Sequence, residues 1–149
     1  MKLVQFQQYL KEKKISLAIL TYPDQHIIYF TQMKPSYAFL LITPATATLY
    51  LTALDKMPQI KGIQVKVLTK NWSKKVKATS IGINKSSLTA ASLERIKKVF
   101  PKARFVDISA QLEELREEKI APEIEKITKA CTLTSDAFAA LVHELPKKT

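Results

Sequence analysis

Glycine is nearly missing from this chain: only Gly62 and Gly82 occur in 149 residues, and they stand apart. Phosphate cradles need clustered glycines so that backbone N–H groups can approach the ligand. Nucleotide motifs of the common kinds are therefore excluded. Histidine is equally scarce, and neither His26 nor His143 has a second His or Cys at ligand spacing, so no metal motif is visible. His26, beside a Tyr/Ile run, reads as a core-edge or loop histidine. His143 reads as solvent-facing. No serine lies in a Gly-x-Ser-x-Gly turn, so a nucleophile elbow is absent. The single cysteine, Cys131, rules out an internal disulfide and fits a reducing, cytoplasmic compartment. It falls on an apolar stripe, which predicts a small core residue rather than a nucleophile. No apolar stretch approaches the ~20 residues of a membrane span. The opening apolar run is broken by Gln5, Gln7, Gln8 and lysines, unlike a secretory signal.

Positive charge is abundant. The net charge is +11, with eighteen Lys and Arg against four Asp and Glu in residues 1–104, and six against nine in residues 105–149. The front is basic and the tail mildly acidic. The lysines are scattered except for Lys70, Lys74, Lys75 and Lys77 around Trp72. A solvated lysine-rich face, as in heat-adapted proteins, explains them better than a nucleic-acid stacking platform.

The tail carries the longest pattern. Ile120, Ile124, Ile127, Cys131, Thr134, Phe138, Leu141 and Leu145 recur at steps of four and three, one stripe along a helix. Pro122 suits its first turn. Glu123 and Glu125 sit near the positive end of its dipole. Leu145-Pro146 ends it. Such a stripe needs a cover: either the sheet of its own domain, or a second domain or chain. The carboxylates Glu113, Glu114, Glu117, Glu118, Glu123 and Glu125 are interleaved with Arg116, Lys119, Lys126 and Lys129, as on a salt-bridged helix surface rather than in an acid–base site.

Ahead of the tail, the pattern predicts an opening helix with Leu3, Phe6, Tyr9 and Leu10 inward, then a strand over Ile15–Leu20. A short helix follows, with Pro23 at its first position. Ala38–Ile42 and Thr48–Thr52 read as a hairpin and Ile63–Leu68 as an alternating strand. Asn71–Lys77 is a basic loop or turn. Ile81–Ile83 is a strand, and Leu88–Phe100 a helix capped by Ser87, with Leu88, Ala91, Leu93, Ile96 and Val99 or Phe100 inward. Arg104–Val106 is the last strand, and Asp107 or Ser109 caps the next helix. The order predicts an α/β fold: a mixed sheet of about six strands flanked by helices, in one domain.

These elements resemble a known family. The opening helix, ISLAILTYPDQHIIYFTQ, the AFLLI…LYLTALD hairpin, and the run from IGINKSS to EIEKITKA are similar to the N-terminal domain of the Xaa-Pro peptidase and creatinase family, which includes prolidase and aminopeptidase P. Leu115-Arg116, Lys119, Glu123-Ile124, Ile127 and Ala130 resemble that family's hinge. The departures are His26 and Gln32 where Asn and Gly are usual, Ile120-Ala121 in place of Ser-Pro, and Leu54-Asp55-Lys56 in place of Gly-Arg-Tyr.

The resemblance implies a creatinase/prolidase N-terminal domain, with a ribonuclease H-like motif, over residues 1–120. Residues 121–149 would then be a long helix leading into a C-terminal metallopeptidase domain absent from this chain. It implies no catalytic, cofactor-binding or metal-binding residue here. Two divalent ions, Mn, Co or Zn, would sit in that other domain and activate water. The implied partners are the catalytic domain, a second subunit in a homodimer and, for the full-length protein, a peptide substrate. Membrane and nucleic acid are not expected. Tyr29, Phe30 and Tyr37 are the candidate contacts at the rim of the active-site cleft. Ile124, Ile127, Phe138 and Leu141 are the candidate contacts to the second domain. The alternatives are a basic protein- or nucleic-acid-binding module without peptidase activity, and a dimer joined through the terminal stripe.

Overall fold

Strand β1, Leu17–Thr21, is buried at every position, and the rest of the sheet is laid down on its two sides. The computed structural model describes residues 2–145, the side chain of Lys75 excepted. The predicted stop at Pro146 and the end of the predicted segment 121–149 lie outside the described residues. The described chain divides between Leu115 and Arg116 into two units.

The first unit opens with α1, Lys2–Glu12, which turns Phe6 and Leu10 inward as the spacing predicts. After β1 comes α2, Gln25–Thr31. Asp24 is its cap, so Pro23 lies one position outside the helix rather than at its first turn. Strands β2, Ala38–Ile42, and β3, Ala47–Leu51, form the hairpin, and β4, Gln64–Val67, adds to it. A 3-10 turn over Trp72–Lys75 precedes β5, Ser80–Ile83. Helix α3, Ala90–Val99, crosses over to β6, Arg104–Asp107, and α4, Ser109–Glu117, follows. The cap of α3 is Thr89, whose hydroxyl accepts from the Ser92 N–H at 3.2 Å, and not Ser87. Ser87 is engaged elsewhere, as described below.

The sheet order is β4-β3-β2-β1-β5-β6. β1 pairs antiparallel with β2 and parallel with β5, and β5 pairs parallel with β6. The sheet is therefore mixed, as expected. Alternate residues of β1 serve two cores, which is why its sequence runs apolar without a break. Ala18 and Leu20 meet Phe6, Leu10, Ile27, Leu112 and Leu115 from α1, α2 and α4. Leu17 and Ile19 meet Ile81, Ile83, Ile96 and Phe100 on the α3 side. Each Leu, Ile or Phe side chain among these, fully buried, contributes about 1.5–3 kcal/mol. Phe100, not Val99, is the inward residue at the end of α3; Val99 and Ala91 are exposed. Gly82 lies against Ile108 so closely that a Cβ would stand 3.0 Å from its Cγ2. Close packing explains this glycine.

The second unit holds α5, Ala121–Glu144. Its cap is Ile120, whose N–H donates to the Glu123 carboxylate at 3.0 Å, and Pro122 falls in the first turn as predicted. No residue of α5 is buried. Cys131 is exposed, which corrects the expectation that the stripe would make it a core residue.

Candidate functional site

β1 and β5 are parallel neighbours, so the chain leaves both at the same border of the sheet. Open α/β sheets bind ligands beyond the carboxyl ends of their strands. Here that border carries a buried polar cluster of Asp24, His26, Asn84 and Ser87. β1 delivers Asp24 three residues after Thr21, and β5 delivers Asn84 directly after Ile83. Asp24 is the hub. Its Oδ1 accepts from the His26 backbone N–H at 2.9 Å and lies 2.8 Å from His26 Nδ1. Its Oδ2 accepts from Asn84 Nδ2 at 2.8 Å and from the Ser87 hydroxyl at 2.7 Å.

Burial alone would raise the Asp24 pKa, but the hydrogen bonds from His26, Ser87 and Asn84 outweigh it and hold the carboxyl below its ordinary value. An ionised carboxylate only accepts, so His26 Nδ1 carries the proton. His26 Nε2 is buried and has no hydrogen-bond partner among the described residues. The chemistry of a nucleophile relay is not available. Ser87 donates to the carboxylate rather than to the imidazole, and a relay needs the serine proton to reach the base. Asp24, His26 and Asn84 are also 2–4% exposed, too sealed to meet a substrate. The cluster instead clamps the start of α2 to the loop after β5. The sequence reading missed it, apart from placing His26 at the edge of the core. The one available signal was Asp24 just ahead of a helical run.

Of the three candidate rim residues, Tyr29 and Phe30 meet edge-on with ring centroids 5.6 Å apart, and Tyr37 lies away from them. The Tyr29 hydroxyl donates to the Leu115 carbonyl at 2.8 Å. The Phe30 ring packs 5.6 Å from Phe6, in the core shared with α1 and α4. Tyr37 is more than one third exposed and meets the Phe39 ring edge-on at 5.4 Å, on the opposite face of the sheet. Between them, Ser36 is tied down: its N–H and hydroxyl donate to Asp55 at 2.9 and 2.8 Å, and Thr52 donates to the same carboxylate.

Trp72 is engaged within the fold. It packs 5.2 Å from Phe39, nearly parallel, and also meets Tyr50 and Phe100. Lys75, one of the lysines around it, has its side chain outside the description.

On α5, the candidate second-domain contacts Ile124, Ile127, Phe138 and Leu141 are 53%, 49%, 66% and 57% exposed. These apolar side chains stand exposed along the helix. His143 is exposed, as expected. Among the described residues, no group of three or more His, Cys, Asp or Glu could hold a metal ion. No described helix is long and apolar enough to cross a membrane.

A family model described as the Creatinase/Prolidase N-terminal domain matches residues 2–117. Among solved structures, the chain is similar to the prolidase from Pyrococcus horikoshii OT3, with a TM-score of 0.80 and 24% identity over 96% of this chain and 42% of that one. The X-Pro aminopeptidase from Thermotoga maritima MSB8 gives 0.82 and 20%, over 95% and 43%. The Creatinase/Prolidase N-terminal domain of an X-Pro dipeptidase from Streptococcus pyogenes gives 0.63 and 19%, over 76% and 97%. At these identities the likeness establishes the fold. The chain spans less than half the length of the first two. No curated protein sequence matches it.

Proposed function

Because the chain belongs to the creatinase/prolidase N-terminal domain family, we propose that it serves as the non-catalytic front domain of a metallopeptidase of the Xaa-Pro dipeptidase or aminopeptidase type. The observation that carries this reading is the family match over residues 2–117. In this proposal the two divalent ions, Mn, Co or Zn, and the water they activate belong to a following catalytic domain.

The exposed stripe of α5 supports the same reading. Burying one of its large side chains contributes about 1.5–3 kcal/mol, so an uncovered row of them favours association. We assign Ile124, Ile127, Phe138 and Leu141 to the contact with the catalytic domain. The rest of the chain takes part in homodimer formation and, through Tyr37, in the rim of the cleft where a peptide substrate enters. The assembly is expected in the cytoplasm.

The test uses two proteins: the 149-residue chain, and the product of the uninterrupted natural reading frame. The longer product, loaded with Mn, Co or Zn, is expected to hydrolyse a Xaa-Pro dipeptide, and the 149-residue chain is expected not to. Hydrolysis by the shorter chain, or a reading frame that stops just after Thr149, would refute the proposal. Phe138→Glu in the longer product should loosen its fold around α5, seen as faster proteolysis there. Unchanged cleavage would remove the α5 contact from the proposal.

A further inference from the structure

Beside α3, on the aromatic face of the sheet, lies a cavity of about 160 Å³. Tyr37, Phe39, Trp72, Arg95, Ile96 and Val99 line it. We propose that this cavity is a binding site for a small single-ring aromatic carboxylate. The proposal goes beyond the peptidase reading and does not depend on it.

Size sets the first limit. An apolar cavity of about 150 Å³ holds one benzene ring, so this one has room for a single ring and little more. The walls set the second. Phe39 and Trp72 lie nearly parallel, 19° apart, and Tyr37 meets Phe39 at 88°. A wall built from three aromatic rings favours another aromatic ring over an aliphatic group of equal area.

Charge sets the third. The Arg95 side chain is exposed and makes no ion pair or hydrogen bond with any described residue. The nearest acid in sequence, Glu94, is already taken by Lys97 at 3.0 Å. A guanidinium left unpaired at an aromatic pocket suits a planar carboxylate, which it can hold with two parallel hydrogen bonds. The basic front of the chain, eighteen cations against four anions in residues 1–104, adds a long-range attraction for an anion.

Trp72 is the single tryptophan, so its fluorescence reads the site directly. The 149-residue chain is titrated with 3-phenylpropionate, with its uncharged amide, and with hexanoate. The expected result is a saturating change with 3-phenylpropionate, and binding roughly fivefold weaker for the amide, the upper end for an exposed ion pair. Hexanoate should bind more weakly than the aromatic acid. Arg95→Gln should weaken the acid more than the amide and so remove the preference for the acid. Val99→Phe, which fills the cavity from an exposed position, should abolish the response to all three. Circular dichroism confirms that each variant is folded, and the acid–amide comparison needs no variant at all. No saturating change up to the solubility limit would overturn the proposal. Equal affinity for acid and amide, or a response indifferent to Val99→Phe, would do so as well.

Discussion

Asp24→Asn is the substitution that bears hardest on the clamp between α2 and β5. It keeps the shape of the side chain and the oxygen that caps α2. It replaces the other oxygen, which accepts from Asn84 and Ser87, with an NH2 group. Two donors then face a third. Ser87 is only half-buried and can turn to water, but Asn84 is 4% exposed and cannot. A buried donor left without an acceptor costs about 1–3 kcal/mol, and each lost bond to a charged acceptor adds about 1 kcal/mol or more. The expected loss is about 2–4 kcal/mol, a large share of the ~5–15 kcal/mol that holds a domain folded.

Asn84→Asp should cost at least as much, because it sets a second carboxylate about 2.8 Å from the first. The double variant reverses the bond and again faces one donor with one acceptor. It should recover about 1–2 kcal/mol relative to the sum of the single changes. Urea unfolding, followed by circular dichroism and by Trp72 fluorescence, measures all three. An Asp24→Asn cost below about 0.5 kcal/mol, or strict additivity, would show that the clamp does not hold these elements together.

Stability should fall in acid. Asp24 has a folded pKa below its unfolded one, so its contribution is complete above the ordinary carboxylate range and disappears as pH drops through the folded value. Asp107, lowered mainly by its hydrogen bonds to Ser109, acts in the same direction but is exposed and screened. The acid limb of a urea midpoint-against-pH curve should be shallower in Asp24→Asn than in the parent. Gly82→Ala should cost about 1–2 kcal/mol in the same unfolding assay, because its methyl meets Ile108 at 3.0 Å and the core must shift. Asp55→Ala should free the loop before β2, read as faster hydrogen exchange at the Ser36 amide; unchanged exchange would mean that the loop is held by other contacts.

The strands were readable because their signal is local. Ala38–Ile42 is apolar throughout and is buried on both faces, and Gln64–Val67 alternates because it lies at the edge of the sheet. The clamp was not readable because Asp24 and Asn84 are 60 positions apart. They meet only because β5 lands beside β1, a fact of topology rather than of either segment. The cap of α3 was misassigned for the same reason: Ser87 and Thr89 both offer a hydroxyl, and Asp24 claims the first. The candidate rim residues Tyr29 and Phe30 stay together on α2, but that helix ends at Thr31, and the chain then crosses toward the other side of the sheet before Tyr37.

The parallel pairing of β1 with β5 also bears on how the chain emerges from a ribosome. Leu17–Thr21 receives its first neighbour early, when Ala38–Ile42 turns back onto it. Its other flank waits for Ser80–Ile83, about 60 residues later. At roughly 5–20 residues per second, that flank stays open for several seconds of translation. Throughout this interval, an apolar strand edge able to pair with a nascent neighbour is on offer. Crowded polysomes are therefore the setting in which this chain is most exposed to misassembly.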